Sequence, residues 1–142
     1  MPTRLASQPF VVLCRLLLTI AAAVLFAVGC SGAPANVTQV KTVGQTKVTV
    51  QTPATIAPNQ TYDLVVTLNG ANGAPIDGAA VYLEMTMSGM VMGKNQPIAD
   101  ALGQGRYRVR TAFSMDGPWA ITVVASIGGA EVRAPFNLVV QK

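Results

Sequence analysis

The sequence contains no histidine, and this absence limits the available chemistry more than any other feature. Ser-His-Asp and Cys-His catalysis, histidine acid–base catalysis and most catalytic zinc sites require an imidazole. A blue-copper centre is excluded as well, because it needs two histidines and a cysteine. The carboxylates form no close pair along the chain; they are Asp63, Asp77, Glu84, Asp100, Asp116 and Glu131. We therefore expect a protein that is not an enzyme.

Cysteine is nearly absent too, and both cysteines lie near the N-terminus, at Cys14 and Cys30. Arg4 and Arg15 precede an apolar run over residues 16–28, LLLTIAAAVLFAV. A basic leader followed by a short apolar run is typical of a secretory signal peptide. This run is shorter than the roughly 20 residues that a membrane-spanning helix needs. The pattern predicts a helical signal peptide over residues 1–29.

The end of this run, AVGC at residues 27–30, resembles a bacterial lipobox. Cleavage there leaves Cys30 as the lipidated N-terminus of a membrane-anchored lipoprotein, in the periplasm or on the outer face of the cell membrane. The alternative interpretation is an uncleaved anchor that includes residues 10–13. Both interpretations place the rest of the chain outside the cytoplasm, where the mature protein has no thiol left for a disulfide.

Charge is also scarce. Without Arg4 and Arg15, eight basic and six acidic side chains remain, a net charge of about +2. A balance this weak, together with an export signal, argues against nucleic acid as a partner.

The remainder is organised as a short tether and one domain. Residues 30–39 are small and polar and contain proline, which favours a flexible tether. Over residues 40–142, short alternating segments are separated by Gly, Pro, Asn and Asp, and none shows a helical apolar period. About seven short strands in about 100 residues predict an all-β fold, an immunoglobulin-like antiparallel sandwich. The clearest strands cover residues 46–50, 62–68, 79–87, 106–113, 119–127 and 132–140.

What the sequence does have is methionine. Residues 84–93, EMTMSGMVMG, hold four of its six methionines. Met85 and Met87 share one face of the predicted strand, and Met90 and Met92 lie in the loop after it. Thioethers are neutral and soft, so they prefer Cu(I) to hard cations. Methionine is equally a flexible core filler, and we expect this role for Met85.

A fifth methionine, Met115, lies in a turn before Trp119, within AFSMDGPWAITV. Because loops at one end of a sandwich cluster, this turn and the loop after residue 87 are expected to lie close together. Met87, Met90, Met92 and Met115 are then the predicted metal ligands. Trp119 is predicted either to cover this site or to belong to the core. The competing interpretation of the same loop is an apolar, metal-free surface that docks a protein partner.

Three short motifs carry a resemblance to a known family: MTMSGMVMG, Gly105-x-Tyr107 and Phe113-x-Met115-x-Gly117-x-Trp119. Together they resemble the YtkA-like domain, which is related to the FixH group, over about residues 40–140. The resemblance implies an exported immunoglobulin-like domain associated with copper handling or respiratory-oxidase assembly. An oxidase or a copper-handling protein is then the implied partner.

By position, Met87 and Met90 match the loop methionines of the family, and Met115 and Trp119 match its turn. Many members have a histidine after the loop, whereas this chain has Met92-Gly93-Lys94. A site here would hold thioethers alone, which leaves Cu(I) as the candidate metal.

Overall fold

The computed structural model describes residues 35–87, 89–90 and 95–142 and contains eight β-strands, most of which alternate apolar and polar side chains. The strands are β1 Asn36–Val43, β2 Thr46–Pro53, β3 Thr61–Asn69, β4 Ala80–Met87, β5 Asp100–Gly103, β6 Arg106–Ala112, β7 Gly117–Ile127 and β8 Ala130–Val140.

These strands form two antiparallel sheets. One has five strands in the order β1-β2-β3-β6-β5, and the other has three in the order β4-β7-β8. The predicted all-β, immunoglobulin-like sandwich is confirmed. The predicted signal helix over residues 1–29 and the lipidation site Cys30 lie outside the described residues. Within the part of the chain that is described, no helix has the length and hydropathy to cross a membrane.

Two strands were not among the clearest predicted ones. β1 begins at Asn36, so residues 36–39 of the predicted tether pair in register with β2. Its side chains are mostly exposed, and those of β5 are all exposed, so neither segment shows strong alternation. Both are edge strands, and their conformation is determined by their neighbours β2 and β6 rather than by an apolar face.

The core lies between the inner faces of the two sheets. Every second side chain of the central strands points inward, as the two-residue period of a strand requires. Because β4, β7 and β8 contribute a nearly continuous apolar layer, this sheet can cover the larger one with only three strands. Its fully buried side chains include Val81, Leu83, Met85, Trp119, Ile121, Val123, Ala134 and Phe136.

The motif Gly105-x-Tyr107 fastens the loop between β3 and β4. The Tyr107 hydroxyl donates to the Ile76 carbonyl at 2.7 Å and accepts from the Ala79 amide at 3.1 Å. The Gly105 amide donates to the Asp77 carboxylate at 2.7 Å. Gly105 has a positive φ of 69°, and a Cβ atom there would lie 2.5 Å from the Leu68 carbonyl oxygen. This motif therefore stabilises the fold.

Replacement of Gly105 by alanine is expected to lower the free energy of unfolding by about 2–4 kcal/mol, from left-handed strain and overpacking together. Urea unfolding measures this change in the free energy of unfolding. Gly73→Ala is the matched control, because Gly73 also has a positive φ but a Cβ there meets no atom within 4 Å. Equal losses for the two variants would contradict the role of close packing at Gly105.

Candidate functional site

The register between β4 and β7 brings the methionine loop beside the turn that carries Met115. Met87, the last residue of β4, is paired with Trp119, near the start of β7. Since the two strands are antiparallel, the loop after Met87 and the turn before Gly117 leave the sheet at the same end. We call this the methionine end. The predicted juxtaposition of the two loops follows directly from this pairing.

Met87 reaches across to β7. Its side chain is half-buried, and a Cβ atom placed on Gly117 would lie only 2.6 Å from the Met87 Cε atom. The missing side chain of Gly117 therefore provides the space in which the Met87 methyl group rests. The Met90 amide donates to the Met87 carbonyl at 3.2 Å, and the Met90 side chain is 52% exposed. Both residues lie at the methionine end, one half-covered and one open to solvent.

Trp119 supports the turn that carries Met115. The indole Nε1 of Trp119 donates to the Met115 carbonyl at 3.0 Å. The ring is only 2% exposed and packs edge-on against Phe113, with 5.3 Å between ring centroids. Of the two predicted roles for Trp119, the core role is confirmed, and the buried ring supports the turn. The Met115 side chain is half-buried.

Met85 belongs to the core, as expected. It is 2% exposed, and its sulfur accepts a hydrogen bond from the Thr111 hydroxyl at 3.1 Å. The amide Nδ2 of Asn95 lies 3.8 Å from the same sulfur. This thioether is thus occupied inside the sandwich.

After the methionine loop, the chain folds back along β4, the strand that precedes the loop. The Met85 amide donates to the Asn95 carbonyl at 3.3 Å, and the Leu83 amide donates to the Pro97 carbonyl at 3.0 Å. Residues 95–99 in this way cover the outer edge of β4 and hold the far end of the loop near its beginning. Met92, the remaining predicted ligand, lies outside the described residues.

Two further segments complete the methionine end, through contacts that no sequence pattern predicted. The Asn59 amide donates to the Phe113 carbonyl at 2.7 Å, which ties the loop between β2 and β3 to the Met115 turn. The Gln141 amide donates to the Ile56 carbonyl at 2.8 Å and ties the end of β8 to that loop. The turn is thereby fixed from both sheets.

All six carboxylates already have partners. Five lie in ion pairs: Asp63 with Arg110, Asp100 with Arg108, Glu84 and Glu131 with Arg133, and Asp116 with Lys142. The sixth, Asp77, accepts from the Gly105 amide. Among the described residues, no group of three or more Asp, Glu, Cys or His side chains lies together. The thioethers of Met87, Met90 and Met115 therefore lie at an end of the domain where no described carboxylate is without a partner.

The ion pair of Asp63 and Arg110 lies on the outer face of the larger sheet. The hydrogen bond from the Arg110 guanidinium, 3.0 Å from the Asp63 carboxylate, lowers the pKa of Asp63 below its ordinary value. Asp63 is therefore a carboxylate at neutral pH and not a proton donor.

The fold and the methionine end together define an immunoglobulin-like sandwich with thioether side chains on two adjoining loops. The sequence profile of the YtkA-like family matches residues 40–124, which is more than half of the chain. The protein belongs to the YtkA-like family. Comparison with curated proteins and with solved structures gave no significant match.

Replacement of Met85 by leucine is expected to lower the free energy of unfolding by about 1–2 kcal/mol, because the buried Thr111 hydroxyl loses its acceptor. The matched control, Met87→Leu, is expected to change it by less than about 1 kcal/mol, since Met87 is half-buried and the swap conserves volume. Urea unfolding of the two variants measures both. A Met85→Leu protein as stable as the wild type would contradict the importance of this hydrogen bond.

Proposed function

We propose that this protein is a non-enzymatic, exported and lipid-anchored accessory that binds Cu(I) and hands it to a partner, in the context of respiratory-oxidase assembly or other copper handling. The observation that carries the proposal is the pairing of Met87 with Trp119, which brings the methionine loop beside the Met115 turn in a chain without histidine. The family resemblance supplies the biological context, and the sequence of residues 1–30 supplies the export signal and the anchor at Cys30.

The donor set suits a soft monovalent ion. Met87, Met90 and Met115 are the described residues that would hold it, with Met92 as a further ligand predicted from the sequence. Neutral thioethers favour Cu(I) and do not titrate near neutral pH. A hard cation would need clustered oxygen ligands, whereas the carboxylates are committed to ion pairs and to the Gly105 amide. The ion would be cargo, bound reversibly and released unchanged.

The exposure of Met90 also favours the second candidate function. A half-exposed, flexible apolar side chain on a loop is suited to docking a protein partner without any metal. In that function the methionine end would be a hydrophobic contact surface.

For the soluble domain from Gly32 to Lys142, we expect uptake of Cu(I) or Ag(I) in competition with a chromophoric chelator. Leucine at positions 87, 90, 92 and 115 together should abolish uptake, because leucine has no sulfur to donate. Met85→Leu is the control that should keep it, since the Met85 sulfur is buried and bonded to Thr111. Failure of the wild-type domain to take up either ion would refute the metal function.

Two substitutions of different polarity at Met90 distinguish the metal function from the docking function. Leucine removes the ligand but keeps an apolar surface, whereas glutamine at Met90 removes both. If the protein acts through Cu(I), both substitutions should impair metal-dependent oxidase maturation in cells. If it acts by docking alone, Met90→Leu should keep full activity and Met90→Gln should lose it. Oxidase activity in complemented cells measures the difference.

A further inference from the structure

The chain enters the domain at the methionine end. Asn36, the first residue of β1, pairs with Pro53, the last residue of β2. The Ala54 amide donates to the Ala35 carbonyl at 2.8 Å, so the chain is held at this end back to Ala35. The loop that begins at Ala54 is the one that contacts the Met115 turn through Asn59 and β8 through Ile56. The N-terminal tether and the candidate site therefore share one end of the sandwich.

Chain length then limits how far this end can lie from a lipid at Cys30. Ala35 follows Cys30 by five residues. A fully extended chain spans at most about 3.5 Å per residue, so this separation is at most about 18 Å. The opposite end of the sandwich lies farther from Ala35 by about the length of β7, whose 11 residues extend about 35 Å. A tether this short is not long enough for the domain to turn its opposite end towards the lipid.

Exposed apolar side chains occur toward both ends of the sandwich. Val37, Met90 and Val139 lie at the methionine end, with exposed fractions of 43%, 52% and 58%. Ile98, beside Tyr82 near the start of β4, and Leu102, next to the turn at residues 103–105, are 80% and 45% exposed. Apolar exposure therefore does not distinguish the two ends, whereas the entry point of the tether does.

We propose that the methionine end faces the membrane, so that its exchange partner is a membrane-embedded protein rather than a soluble one. The proposal rests on the lipid anchor of the proposed function but does not require that metal binds. It assigns the exposed side chains of Val37, Met90 and Val139 to the membrane side of the domain, and the turns at residues 44–45 and 128–129 to the aqueous side.

Single-cysteine labelling tests this orientation, because the only cysteine of the mature chain is Cys30, whose sulfur carries the lipid and cannot be labelled. Thr55→Cys places a donor fluorophore at the methionine end, and Gln45→Cys is the matched exposed position at the opposite end. Each full-length lipidated variant is placed in phosphatidylcholine vesicles with acceptor-labelled headgroups. Because the ends are about 35 Å apart, we expect energy transfer about twofold greater from position 55. Equal transfer, greater transfer from position 45, or no transfer from either would overturn the proposal.

A lengthened tether tests whether tether length sets the orientation of the domain. Insertion of 20 Gly and Ser residues after Gly32 adds a flexible coil of about 25 Å mean extension. The two transfer efficiencies should then converge. A difference that persists would show that the tether does not set the orientation. None of these measurements uses copper, so their failure is distinct from failure of the metal function.

A separate experiment tests whether the site is accessible to a soluble macromolecular partner. Ag(I) loaded on the vesicle-bound protein should be withdrawn rapidly by a small chelator and slowly by the same chelator attached to a large dextran. The free soluble domain should show no such difference, and the lengthened tether should remove it from the vesicle-bound protein. Equal withdrawal by both chelators from the vesicle-bound, short-tether protein would show that soluble macromolecules reach the site, and would contradict a membrane-embedded partner.

Discussion

The antiparallel pairing of β4 with β7 is the constraint on which the methionine end depends. It sets Met87 opposite Trp119, and the position of the methionine loop beside the Met115 turn follows from this register. The Met87 methyl group rests over Gly117, and the Trp119 indole holds the Met115 carbonyl. A shift of one residue would turn the side chains of β4 to the opposite face, which would expose Met85 and bury Glu84. Selection for a buried core and for the position of the site therefore act on the same register.

The motifs that carry the family resemblance divide between the two ends of the sandwich. Gly105 and Tyr107 fasten the loop between β3 and β4 through contacts with Asp77 and with the Ile76 carbonyl. Met115, Gly117 and Trp119 shape the turn at the methionine end. Even there the roles differ, because Trp119 and Gly117 provide support and space, whereas Met115 provides a thioether. Only part of the resemblance therefore concerns chemistry, and the rest concerns the stability of the scaffold.

The carboxylates of the described domain are engaged by arginine, by Lys142 or by a backbone amide. Arg108 and Arg110 pair with carboxylates on neighbouring strands, whereas Arg133 pairs with Glu131 on its own strand and with Glu84 across β7. Such exposed pairs contribute little to stability. Because each carboxylate already has a partner, a site that needs several carboxylate ligands for a hard cation is disfavoured.

The amino-acid sequence was sufficient to predict the sandwich, because the two-residue alternation of β2, β3, β4 and β6–β8 is a local signal that does not depend on strand register. It also determined that a metal site would lack imidazole, because no histidine exists to be recruited. It did not determine β1 or β5, whose exposed residues become strands only because β2 and β6 offer unpaired edges. Nor did it decide between core and site for Trp119, although it favoured the core for Met85. The folded structure decides these points, since the burial of Trp119 and the hydrogen bond from Thr111 to Met85 exist only when the two sheets close on each other.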